Sequence, residues 1–235
     1  MIKIILTGAD GYIGHCFYKL HKKKFNILPI DKKKRHNKDV VVCNLNNTKK
    51  LSFIIRKFKP EATVHLAAQS LVSNSISKKK YVNDNVNATK NLLLILKKNK
   101  FNNIIFSSTA ALYKSSSKPL NERSKLNPLN NYAKTKFRCE TLIKKSKLNH
   151  VIFRFFNACS AIKKFNTGEL HNPETHLVPK LVWQSLNNKI IKIYGKTCKT
   201  KDGTTIRDYT HVEDICRAIS AIIKNILKSK KNYTV

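Results

Sequence analysis

The sequence predicts an α/β fold, a doubly wound parallel sheet of the Rossmann-like type followed by a smaller C-terminal region. Three observations lead there. Short apolar runs alternate with longer helical patterns along most of the 235 residues. A glycine-rich turn, Gly8-Ala9-Asp10-Gly11-Tyr12-Ile13-Gly14, joins the first run to the first helical pattern. Asp31 closes the second run, about 20 residues further on, where a dinucleotide-binding crossover carries its acidic residue. Strand–helix alternation implies crossover connections, hence parallel strands with helices on both faces. Right-handed crossovers wind such a sheet outward in both directions.

The apolar runs at 2–6, 25–30, 40–43, 62–66, 104–107 and 151–155 have the length and β-branched content of buried strands. Helical patterns fill 14–22, 49–58, 85–98 and 132–147. Beyond Asn157 the alternation fades into a loop-rich stretch, 160–179, then a helix near 180–186, a strand near 190–194 and a last helix from about Val212. The expected division is a dinucleotide-binding domain over 1–160 and a smaller region over 161–235. No internal repeat or low-complexity linker separates them.

Composition narrows the function classes. Lys and Arg outnumber Asp and Glu by 47 to 13, a formal charge of +34, which raises the possibility of a polyanion partner. The basic runs at 22–24, 32–35 and 78–80 are scattered, with no basic helix and no interleaved aromatic platforms. The charge therefore reads as compositional, and no specific nucleic acid is expected. Six cysteines lack the spacing of a metal site or of a C-x-x-C pair and read as reduced, mostly buried thiols. With no leader-like segment and no run of about eighteen apolar residues, the expectation is a cytoplasmic protein without a membrane span or metal.

In a strand–turn–helix setting the glycines at 8, 11 and 14 allow a tight turn, close approach of backbone to a pyrophosphate, and close packing of helix on strand. The free N–H groups of the helix start face the phosphates. Asp31 can accept from both hydroxyls of an adenosine ribose, and its charge disfavours a 2′-phosphate. That selects NAD over NADP, although Lys32 to Arg35 follow at once.

A second constellation carries the chemistry. Tyr132 and Lys136 are one helical turn apart, so the ammonium is expected to lie near the phenol and, together with a nicotinamide cation, to lower its pKa toward the working range of a base. Upstream, the buried run ending at Ser107 leads into Ser108 and Thr109 at the carboxyl end of a strand, where the crevice of an open sheet forms; Thr109 can there hydrogen-bond a reacting oxygen.

Together these residues resemble the extended short-chain dehydrogenase/reductase superfamily and, within its NAD-dependent epimerase/dehydratases, the UDP-glucose 4-epimerases. The resemblance runs along almost the whole chain: TGADGYIG at 7–14, HLAA at 65–68, NVNAT at 85–89, FSSTAALY at 106–113, YAKTK at 132–136, RFFNA at 154–158, NPETHLVP at 172–179 and DGTTIRDYTHVED at 202–214. It implies NAD contacts at Tyr12, Ile13, Asp31, Asn44, Leu45, Leu66, Ala67, Asn85, Lys136 and Phe156. Thr109 and Tyr132 would serve both cofactor and sugar, and Asn157, His176, Leu177, Tyr194 and Arg207 the UDP-sugar. The implied reaction interconverts UDP-glucose and UDP-galactose: Tyr132 takes the 4-hydroxyl proton while hydride leaves C4 for NAD, and the 4-keto sugar turns over before hydride returns to its other face.

The related 4,6-dehydratases use a carboxylate acid–base pair just after the threonine; here Ala110 and Ala111 carry no protons, so elimination of water has no carrier. Against the family's pattern stand Asn44 for an aspartate, Lys114 for a glycine and Cys159-Ser160 for Val-Gly. The resemblance also implies a homodimer through the helices at 85–98 and 132–147, and a further segment beyond Val235 that completes the uridine pocket. The alternatives are another UDP-sugar epimerase of this family, or a non-catalytic basic protein that binds polyanions.

Overall fold

The computed structural model describes the chain apart from residues 73–74, 170–173, 175, 193–194, 196 and 230. Its centre is a sheet of seven strands: β1 (Lys3–Thr7), β2 (Asn26–Asp31), β3 (Val41–Val42), β4 (Ala62–His65), β5 (Asn103–Ser107), β6 (Asn149–Phe153) and, from the far end of the chain, β11 (Tyr233–Thr234). They lie in the order β11-β6-β5-β4-β1-β2-β3, and every pairing between them is parallel. The expected doubly wound parallel sheet is thus the observed one. The order reverses between β1 and β4, the place where an open sheet of this kind leaves a crevice at its carboxyl edge.

Side-chain alternation makes two cores. Ile4 and Leu6 of β1, Ile105 of β5 and Val151 and Phe153 of β6 face one side, against α1 (Tyr12–His21) and α7 (Val212–Ser229). Ile5, Ile104, Phe106 and Ile152 face the other, against α2 (Thr48–Phe58), α4 (Ala88–Lys98) and α5 (Asn131–Lys145). Strands buried on both faces need continuous apolar runs, which is why those runs stand out in the sequence. Asparagine side chains set two helix starts: Asn47 accepts from Lys50 N at 3.1 Å, and Asn130 from Ala133 N at 2.8 Å. The Asn130 cap fixes Tyr132 in the first turn of α5.

The helix expected at 85–98 begins earlier. Ser77 caps α3 (Lys78–Tyr81), which runs through a π-helical turn, Val82–Asn87, into α4. A π turn places an extra residue per turn, and here Asn85 lies within it, buried. Small pairings occupy the C-terminal part. β7 (Asn157–Cys159) pairs in parallel with β10 (Tyr209–His211), while β8 (Ala161–Ile162) and β9 (Thr167–Gly168) form an antiparallel pair. Between them lies α6 (Leu177–Leu186). Of the strand expected at 190–194, residues 190–192 are irregular and the rest lies outside the described residues. The helix expected from Val212 is α7; it packs into the core beside α1, and β11 then extends the central sheet next to β6.

Candidate functional site

Five loops leave the same edge of the sheet, because β1, β2, β4, β5 and β6 all run in one direction. They carry the glycine turn, Asp31, the stretch after His65, the Ser108–Thr109 turn and Phe156–Asn157.

At the glycine turn the three glycines differ in what requires them. Gly8 has φ +72°, and a Cβ there would lie 2.6 Å from the Ala67 nitrogen; Gly14 lies so close to the turn that a Cβ would meet Ala9 Cα at 2.9 Å. Gly11 is unlike both. Its backbone is extended, and an added Cβ would touch only Gly8 O at 3.4 Å, an ordinary contact. The protein itself does not demand glycine at 11, so the bare backbone there fits a group approaching from outside. Gly11 is also the N-cap of α1, without a side-chain acceptor, and the first turn of α1 holds no acidic residue. The N–H groups are therefore open to phosphate oxygens. These features fit a dinucleotide.

Asp31 ends β2, half-buried, and accepts from Asp10 N at 3.0 Å. Asp10, a residue not singled out from the sequence, is buried and accepts from the backbone N–H groups of Arg35, His36 (3.1 Å) and Asn37 (2.9 Å). It thereby closes the loop that follows Asp31; its place between two glycines is the signal that could have found it. Lys32, the first of the basic run, is held with Lys80 on Asp84, at 3.2 and 2.9 Å. Two of the scattered basic runs therefore meet at one carboxylate.

The remaining expected cofactor residues fall into two groups. Tyr12 and Ile13 open α1, Leu66 and Ala67 follow β4 against Gly8, and Leu45 is buried beside α2. Phe156 is exposed after β6, and Asn44 is exposed with its side-chain oxygen taking Asn46 N at 2.9 Å. The Tyr12 hydroxyl donates to Ser160 O at 2.5 Å. Asn85 is buried; it accepts from Gln69 N at 2.7 Å and donates to Thr135 Oγ1 at 3.0 Å, joining the loop after β4 to α5.

At the carboxyl end of β5 the Thr109 hydroxyl accepts from Ala111 N at 3.1 Å. Burial pushes the Tyr132 phenol up to about 12, partly offset by the Thr109 hydroxyl. Lys136 is not among the groups that lower this phenol; the expectation joined that ammonium with a nicotinamide cation. Lys136 is buried and directed to the sheet: Nζ donates to the Ser107 carbonyl and lies 4.3 Å from the centre of the Phe106 ring. Burial lowers its ammonium to about 8, while Cys139 and Glu140 act in the opposite sense. Next to it, buried His65 is held between Thr7 Oγ1 (2.7 Å) and Thr89 Oγ1 (2.9 Å). Burial, assisted by Lys136, lowers His65 to about 3, so it stays neutral.

The residues expected at the sugar end are less gathered. Asn157 N and Nδ2 both donate to Asp208 O, at 3.2 and 2.9 Å, which brings it beside Arg207. The Arg207 guanidinium is exposed, with Nη1 on Ile206 O at 3.3 Å and no carboxylate partner among the described residues. His176 caps α6 and meets Glu174 at 3.0 Å and Glu169 at 3.3 Å, with Leu177 exposed beside it. Tyr194 lies outside the described residues.

The sequence model of the NAD dependent epimerase/dehydratase family matches residues 4–235. The chain belongs to this family. A relative of the same family, the UDP-glucose 4-epimerase of Lactobacillus helveticus, is 32% identical over 98% of this chain and 74% of its own length. Among solved structures, the UDP-glucose 4-epimerase of Brucella ovis in complex with NAD is 30% identical and superimposes with a TM-score of 0.92, covering all of this chain and 77% of that one. The UDP-Glc/GlcNAc 4-epimerase of Campylobacter jejuni is 28% identical, with a TM-score of 0.81 over all of this chain and 78% of that one. As a member of an NAD dependent family, the chain has the Rossmann-like sheet and glycine turn that such a cofactor requires.

Proposed function

We propose that this protein is an NAD-dependent UDP-glucose 4-epimerase, interconverting UDP-glucose and UDP-galactose. The observation that carries this reading is the convergence at one sheet edge of the glycine turn, Asp31 and the β5 turn that carries Thr109, with Tyr132 in the first turn of α5. In this reading Gly8, Gly11, Gly14, Tyr12, Ile13, Asp31, Asn44, Leu45, Leu66, Ala67, Asn85, Lys136 and Phe156 form the NAD side. Bound NAD supplies a reversible hydride acceptor next to C4 of the sugar. Tyr132 takes and returns the 4-hydroxyl proton. With a phenol at about 12 from the protein's own groups, a base active near neutrality needs positive charge or hydrogen bonds to lower it further; the Thr109 hydroxyl, which keeps its own proton while accepting from Ala111 N, is suited to donate to the phenolate. Lys136, fixed on the Ser107 carbonyl, holds the turn that carries Thr109. Asn157, His176, Leu177, Tyr194 and Arg207 form the UDP-sugar side, with the exposed Arg207 guanidinium suited to a bidentate diphosphate contact.

We infer a cofactor-binding part over 1–160 and a substrate-binding part over 161–235, with Asn157, Thr109 and Tyr132 of the first part also reaching the sugar and α7 and β11 of the second completing the sheet and its core. We further infer a homodimer through α4 and α5, whose outer surfaces expose Leu94 and Phe137. All six cysteines are free thiols, which supports a cytoplasmic location; no helix among the described residues is long and apolar enough to cross a membrane.

Purified protein is expected to carry NAD and to convert UDP-galactose into UDP-glucose. Tyr132→Phe removes the proton carrier and leaves the glycine turn intact, so bound NAD stays while turnover falls by about 10²–10⁴-fold. Measured by coupled assay and by NAD released on denaturation, a Tyr132→Phe enzyme as active as the parent would overturn the mechanism. Equal turnover of UDP-N-acetylglucosamine would widen the substrate class to that of the Campylobacter jejuni relative's name.

A further inference from the structure

One turn after Lys136 on α5, Glu140 forms with Arg154 a buried charge pair that the proposed chemistry does not use, and Ser108, one residue before Thr109, is bonded to it. Glu140 is 1% exposed and Arg154 7%. The two meet fork to fork: Arg154 Nε donates to Glu140 Oε1 at 3.0 Å and Nη2 to Oε2 at 2.8 Å. Ser108 Oγ donates to the same Oε1 at 2.6 Å, and Lys144 Nζ stands 3.9 Å from Oε2. The remaining guanidinium nitrogen, Nη1, reaches the Tyr113 hydroxyl at 3.3 Å and the Glu122 carbonyl at 3.4 Å.

These bonds join three chain segments that each end at the proposed site. Ser108 belongs to the turn after β5, Arg154 follows β6, and Tyr132, Lys136 and Glu140 succeed one another at four-residue steps along α5. The backbone repeats the connection: Ser108 N donates to Phe153 O at 2.6 Å and Ala110 N to Phe155 O at 2.9 Å, so Thr109 is flanked by bonds to the two neighbours of Arg154. A buried pair is not kept for stability alone, since well-packed apolar residues of similar volume do as well or better. Its specific gain is geometry, because a bidentate fork with a third donor fixes distance and angle together.

We propose that Glu140 and Arg154 are positioning residues: their buried pair, through Ser108, holds the Thr109 turn in register with the face of α5 that carries Tyr132 and Lys136. The inference rests on the functional reading above for its kinetic consequence, and on geometry alone for its structural one. Ser108→Ala cuts the link to the turn but leaves both charges paired, and Glu140→Gln breaks the fork itself. Ser108→Ala is expected to lower kcat about tenfold or more, because a displacement on the order of 1 Å is enough for such a loss. KM, NAD content and Tm should remain near those of the parent. Hydrogen exchange followed by mass spectrometry should speed up in 107–113 and the first turns of α5, and not elsewhere. Glu140→Gln is expected to lower kcat and speed the local exchange more strongly, with a lower Tm because the Arg154 charge is left buried and unpaired. Ser108→Ala, which keeps both charges paired, therefore decides. Unchanged kcat with unchanged local exchange in Ser108→Ala would overturn the proposal, as would exchange in Ser108→Ala that speeds up throughout the molecule in step with a lower Tm. If the parent protein shows no epimerase turnover, the functional reading fails, and the local exchange pattern still decides whether the pair positions the turn.

Discussion

Helices α6 and α7 both come from the last third of the chain, both are rich in apolar residues, and they meet opposite fates. α7 buries Val212, Ile215, Cys216, Ile219, Ser220, Ile223 and Ile226, a stripe at three- and four-residue spacing, and turns Glu213, Asp214, Arg217 and Lys224 away from it. α6 buries none of its ten residues: Leu177 and Val182 are more than half exposed, as are Trp183 and Leu186. Their sequences contain the difference. In α6 the apolar residues Leu177, Val178, Pro179, Leu181, Val182, Trp183 and Leu186 go most of the way round the helix, so no single face directs it onto the sheet. Apolar content alone therefore does not place a helix in a core; a one-sided stripe does.

The sharpest test of this contrast is Ile219→Ala. Ile219 is fully buried between α1 and the sheet residues of the first core. Removing its side chain is expected to cost about 2–5 kcal/mol, a fall in Tm on the order of 10 °C for a chain of this size. Denaturant and thermal melts measure it. A loss below about 1 kcal/mol would mean that α7 is only loosely docked and that the two helices do not differ as described.

The same stripe explains which parts of the fold are legible in the sequence. β1, β4, β5 and β6 are buried on both faces and β2 in part, and only continuous apolar runs satisfy that; those runs locate them within one or two residues. Gly8, Gly11, Gly14 and Asp31 are legible because backbone reach and a terminal carboxylate leave few other residue types possible. Long-range partners are not written locally. Asp10 takes its three N–H donors from residues 35–37, and Lys136 takes the Ser107 carbonyl instead of the phenol one turn away. The four-residue spacing of Tyr132 and Lys136 establishes a shared face but not where an ammonium on a flexible stem will point. Likewise the start at Lys78 was hidden because a lysine run with one tyrosine has no apolar stripe; the Ser77 cap and the π turn carry the helix there.

An intermediate effect is expected where α7 touches α1 through a polar contact. Lys24, just beyond α1, donates from Nζ to Ser220 Oγ at 2.7 Å, and Ser220 is 2% exposed. In Ser220→Ala the ammonium of exposed Lys24 regains water, so no charge is stranded. The cost should stay near about 0.5–1.5 kcal/mol, the net worth of one hydrogen bond. A urea titration of Ser220→Ala beside Ile219→Ala would show whether apolar burial outweighs this polar link. A Ser220→Ala loss larger than that of Ile219→Ala would reverse the ranking and make the polar link the main attachment of α7.

The smallest effect belongs to α6, and it can be isolated because one substitution there is matched in helix propensity. Trp and Ser sit close together on the propensity scale, so Trp183→Ser changes side-chain burial and little else. The hydrogen bonds at that position use the Trp183 carbonyl, which takes Asn187 N at 3.1 Å and Asn187 Nδ2 at 2.8 Å, and both survive the change. With the indole 58% exposed, unfolding free energy should move by no more than about 0.5 kcal/mol. A tryptophan buried like Ile219 would instead cost about 3–5 kcal/mol on truncation. The measurement is the urea midpoint of Trp183→Ser, repeated over a hundredfold dilution series. A shift above about 2 kcal/mol that persists at every concentration would place the indole in an intramolecular core and overturn the contrast between α6 and α7. A shift that fades on dilution would show that α6 is uncovered within the monomer and becomes buried only between copies.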